Sequence, residues 1–115
     1  MRSKQDAELQ LKTAHAFISM AGNEKYPEPD RKRYFLMAYM HAKVASVIAG
    51  CLDLIQFEFE AGNVASDCHL TLEKMLDGAG IDEALEEYPK IQARRKANDT
   101  TLGLLRDLLI SKDQR

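Results

Sequence analysis

Between Asp30 and Gly62-Asn63 the chain has one residue that weakens a helix, Gly50. A helix of about thirty residues would be ~45 Å long, whereas a compact domain of this size has a radius of gyration of ~13 Å. The pattern therefore predicts a helix that projects beyond its own domain or is covered by another chain. Asp30 is its expected N-cap. The most apolar stretch, Met37 to Ile55, approaches a membrane span in length. Lys43 and Asp53 within it would each cost ~2.5–3.5 kcal/mol near a bilayer centre. Its longest uncharged run, Val44 to Leu52, is too short to cross. The expectation is a helix buried in protein, not in lipid.

The flanking segments are helical too. Ser3 and Asp6 form a capping-box pattern, and Ala7, Leu11, Ala14, Phe17, Ile18 and Ala21 recur at helical spacing up to Gly22-Asn23. Helix one thus runs from about Ser3 to Met20, and Pro27 and Pro29 stiffen the loop after it. A third helix is expected from Asn63 or Val64, with the stripe Ala65, Cys68, Leu72 and Met75, stopped by Gly78-Ala79-Gly80. Asp82 caps a short acidic helix from Glu83 to Tyr88, which Pro89 kinks or restarts. Asn98-Asp99-Thr100-Thr101 reads as a break or a new cap before an amphipathic helix carrying Leu102, Leu105, Leu108 and Leu109. No stretch alternates like a strand. The fold class is all-α: a single domain over residues 1–115, built as a hairpin or bundle of four to five helices around one long central helix.

A helical wheel divides the long helix into two sides. Met37, Val44, Ile48, Cys51, Leu52, Ile55 and Phe59 share one face and form the expected core seam. The other side carries Lys43, Ser46, Asp53, Gln56 and Glu60, together with Phe35, Tyr39, Phe57 and the small residues Ala38, Ala42, Ala45, Ala49 and Gly50. The alanines at 38, 42, 45 and 49 keep a 4-3-4 spacing that admits a closely packed second helix. Arg31, Lys32 and Arg33 crowd the start of this helix and Glu58 and Glu60 its end, against the preference of the helix dipole. An antiparallel copy would pair Arg31 with Glu58 about a two-fold axis between Val44 and Ala45. The expectation is a homodimer through Arg31, Ala38, Ala45 and Glu58. A partner-binding set of Phe35, Tyr39, Ala42, Lys43, Ser46, Ala49 and Asp53 is expected on the same side.

Sixteen Lys and Arg against eighteen Asp and Glu give a net charge of −2, which argues against a dedicated nucleic-acid-binding domain. The basic runs 31–33 and 94–96 support a helical nucleic-acid-associated regulator as the alternative reading. His15, His41, His69, Cys51 and Cys68 fit no metal motif, and Lys12, Ala38 and Ser66 stand where Glu-x-x-His needs Glu. His41 is expected to be a hydrogen-bonded structural histidine. The spacing of Arg33 and His41 is one residue too long for a helical HEPN ribonuclease, and Gly78-Ala79-Gly80 lacks the strand of a dinucleotide fingerprint. The expectation is a non-enzyme without metal or cofactor. The N-terminus lacks a signal-peptide core, so a cytoplasmic location is expected.

The segment YFLMAYMHAKVASVIAG, rich in Tyr, Met and Ala, resembles the long helix of small all-helical bacterial quorum-sensing antiactivators. The likeness extends to the chain's size, helical make-up and acidity. It implies a protein-binding regulator that inhibits a LuxR-type transcription activator by occluding its dimerisation or DNA-binding surface.

Overall fold

The computed structural model describes residues 2–113, with backbone alone at 106 and 109–113. Four helices follow one another, α1 (Lys4–Ala21), α2 (Glu28–Cys51), α3 (Ile55–Leu76) and α4 (Ile81–Asp113). There is no strand among the described residues. The capping box at α1 is formed: the Ser3 backbone N–H donates to Asp6 Oδ2 at 2.7 Å. That bond holds the Asp6 carboxyl below its ordinary range.

The long helix is two helices. α2 starts at Glu28 with Pro27 at the N-cap and Pro29 in its first turn, rather than at Asp30. It ends at Cys51, and Ile55, Phe57, Glu58, Phe59 and Glu60 belong to α3. The break is a Schellman turn with Asp53 in the left-handed region at φ 57°. Leu54 N–H donates to Ala49 O at 2.9 Å and Asp53 N–H to Gly50 O at 3.2 Å. Gly62 and Asn63, expected as a stop, lie inside α3. Gly62 is instead a point of close approach, since an added Cβ would sit 3.4 Å from Ser46 Oγ.

At the end of α3 the expected stop is present as a second Schellman turn. Gly78 has φ 102°, Ala79 N–H donates to Lys74 O at 3.0 Å, and Gly78 N–H to Met75 O at 3.1 Å. α4 then runs unbroken for 33 residues through Pro89 and through Asn98 to Thr101. Buried Tyr88 and Ile91 on either side of Pro89 clamp this stretch onto the body. The Thr100 and Thr101 hydroxyls donate back to Lys96 O and Ala97 O, satisfying themselves within the helix.

The core also inverts the expected wheel. Phe35, Ala38, Ala42, Ala45 and Ala49 are fully buried, whereas Met37, Val44, Cys51, Ile55 and Phe59 are exposed. Of the expected seam only Ile48 is buried, with Leu52 half-buried. α2 packs against both α1 and α3. Small side chains let helix axes approach toward the lower end of the ~8–10 Å range. The alanine side therefore accommodates two neighbours, and Phe35 fills the space among them by meeting Tyr88 edge-on at 5.6 Å.

The antiparallel pairing expected through Arg31, Ala38, Ala45 and Glu58 is not available in this fold. Ala38 and Ala45 are inside the chain, and Glu58 is on a different helix from Arg31. Arg31 is buried, donating from Nε to Ala21 O at 2.7 Å and from Nη2 to Asp82 Oδ1 at 2.8 Å. Its cation thus serves the C-terminus of α1, where the helix dipole favours positive charge.

Candidate protein-binding surface

Opposite the alanines, α2 presents apolar side chains to solvent. Leu36, Met37, Met40, Val44 and Val47 are 47%, 39%, 56%, 44% and 59% exposed. With exposed Cys51, positions 37, 40, 44, 47 and 51 keep the 3-4-3-4 spacing of a coiled-coil seam. The stripe runs ~21 Å along four turns, the length of one docked helix. Met side chains adapt their shape to a partner, while β-branched valines fix the backbone approach. Exposed Ile55 and Phe59 add further apolar area at the start of α3.

A second exposed apolar region lies on α4. From Lys96 onward every described side chain is exposed, among them Leu102, Leu104, Leu105 and Leu108. The radius of gyration is 16.6 Å, above the ~13 Å of a compact chain of this length. The sequence predicts at α2 a helix that projects or is covered by another chain; the helix that outruns its own packing is α4. The side chain of Leu109 lies outside the described residues.

The residues expected to bind a partner separate into three groups. Tyr39, Lys43 and Ser46 line a shallow groove of about 280 Å³ between α2 and α3, with Ser66 and His69 opposite. Tyr39 is half-buried there, its ring centroid 5.8 Å from that of His69. Phe35, Ala42 and Ala49 are in the core, closed to any partner. Asp53 is exposed in the α2–α3 turn. The outer stripe was missed because α2 is apolar nearly all round, and its pattern alone names no solvent side. Of its members, Met37, Val44 and Cys51 belong to the expected core seam, whereas Met40 and Val47 do not.

The polar groups with altered chemistry are structural. Asp67 is buried and takes a two-pronged ion pair from Arg95, whose Nε donates to Oδ1 and Oδ2 at 3.1 and 3.0 Å. Burial raises the Asp67 carboxyl above its ordinary 3.8, against the pull of Arg95. Arg95 also reaches Asp99 at 3.4 Å, so the open cleft of about 600 Å³ between α3 and α4 has its main cation already engaged. Burial pushes the Cys68 thiol up to about 12 and raises its neighbour Tyr88, which keeps both groups protonated and unreactive. His41 Nδ1 lies 2.6 Å from Gln10 Oε1 and its ring stacks on Phe17 at 5.5 Å, the structural role expected of it. Among the described residues no cluster of three or more His, Cys, Asp or Glu could hold a metal ion.

α2 is long and apolar enough by composition to cross a membrane, with a mean hydropathy of 1.2 in its best window. Its alanine face is nonetheless covered by the chain itself, and Lys43 is mid-helix. No family model, curated protein or solved structure matches this chain.

Proposed function

We propose that this chain is a protein-binding regulator that docks the outer face of α2 against another protein. The carrying observation is the row of exposed Met37, Met40, Val44 and Val47 at seam spacing. Helix recognition uses apolar anchors at this repeat, and the leucines of the α4 arm offer a second surface of similar chemistry. The resemblance to quorum-sensing antiactivators names the partner in this proposal, a LuxR-type transcription activator inhibited by occlusion. The alternative reading through the two basic runs has lost residues to internal pairing. Arg31 and Arg95 are both held by carboxylates of the chain, and Arg94 lies 3.9 Å from Glu87.

The test is affinity capture from the native cell, comparing the wild type with a Met40→Glu/Val47→Glu double variant. Both positions are exposed, so the variant should fold and melt like the wild type. A partner retained by the wild type and lost by the variant supports the proposal. The same proteins retained by both would contradict it.

A further inference from the structure

Past its first turn, which holds Glu28 and Asp30, α2 carries charge of one sign only. Between Asp30 and Asp53 there is no acid, while Lys32, Arg33 and Lys43 are exposed. This occurs in a chain whose net charge is −2, so the acids are placed elsewhere. Arg33 stands in the same row as the stripe, four residues before Met37, and Lys43 flanks Val44. Lys32 is 3.4 Å from Glu28, but among the described residues neither Arg33 nor Lys43 forms an ion pair within the chain.

Resting on the protein-binding reading above, we infer that the occupant of this face is an amphipathic helix with acids flanking its apolar stripe. A second copy of the chain fits less well in either symmetric arrangement. Antiparallel pairing about Val44 brings the two Lys43 side chains to the same edge of the seam. Parallel pairing sets Arg33 against Arg33 in the row itself. Like charges so placed oppose association. An acidic partner helix of about four turns covers Met37 to Cys51 and offers carboxylates to Arg33 and Lys43. These rim pairs would chiefly set association rate and specificity, while Met40, Val44 and Val47 supply the buried contact.

The experiment uses the full chain and two labelled synthetic helical peptides, each with leucine at the seam positions. One carries Glu at the flanking positions and the other Lys. Fluorescence anisotropy should show the Glu peptide binding at least about tenfold more tightly, with the gap narrowing as salt rises. An Arg33→Glu/Lys43→Glu variant, checked for native helicity, should reverse the preference. Equal binding of the two peptides, a preference for the Lys peptide, or binding of neither would overturn the inference. So would sedimentation showing a stable dimer whose Met40→Glu variant is monomeric. If the peptides fail while cell capture still depends on Met40 and Val47, the acidic partner is wrong and the protein-binding reading stands. If capture ignores those residues, the reading itself fails.

Discussion

The inner and outer faces of α2 are both apolar, yet one is buried completely and the other is open to solvent. Ala38, Ala42, Ala45 and Ala49 with Phe35 form the first; Met37, Met40, Val44 and Val47 form the second. Total hydrophobicity would have chosen the second for the core, since methionine and valine each bury more apolar area than alanine. Size decided otherwise. A helix that must touch both α1 and α3 needs short side chains where they converge, and the larger residues remain outside.

That contrast can be broken by mutation. Phe35→Ala should cost roughly 3–5 kcal/mol in chemical denaturation, because it empties the space between α2 and Tyr88. Met40→Ala on the other face should change stability by less than about 0.5 kcal/mol. A large loss at Met40 would mean that the outer face is not free.

Asp67→Ala should follow, with a loss of about 3 kcal/mol, because Arg95 is left facing a partly buried void. The isosteric Asp67→Asn separates charge from shape. A raised native pKa means the folded chain holds this proton more tightly than the unfolded one. The stabilising contribution is then full below 3.8 and is lost as pH rises through the raised value. Relative to Asp67→Asn, the wild type should gain stability as pH falls through the window just above 3.8. A pH-independent difference in denaturation midpoints would remove burial as the dominant cause.

The smallest expected effect is at the α2–α3 turn. Asp53→Gly relieves a side chain at φ 57° and should stabilise by about 0.5–1 kcal/mol, whereas Asp53→Ala should destabilise by a similar amount. Equal melting of the two variants would argue against the left-handed geometry there.

This turn also shows what the sequence makes legible. The two Schellman turns share one hydrogen-bonding pattern, but only the one with Gly78 announces itself. Aspartate adopts the left-handed conformation far less often than glycine, so Asp53 within an apolar run reads as a helix interior. Missing it fused α2 to the start of α3 and put Ile55, Glu58 and Phe59 on the wrong helix. The all-α class, the α1 capping box, the ends of α1 and the Gly78 turn rest on local chemistry, and they are readable without the fold. Which face of α2 meets solvent depends on where α1 and α3 land, and no local pattern carries that. Of the expected binding residues, Tyr39, Lys43 and Ser46 do meet in one groove, since i, i+4 and i+7 share a helix face in any fold.

Val44 and Ala45 are adjacent in sequence and on opposite faces, so one pair of thermal melts tests the account most directly. Val44→Asp puts its charge in solvent, and should melt within a few degrees of the wild type, about the shift expected of an exposed substitution. Ala45→Asp buries a carboxylate with no partner among packed helices, and should fail to fold or lose most of its cooperative transition. Intact folding of Ala45→Asp beside collapse of Val44→Asp would contradict the assignment of the two faces.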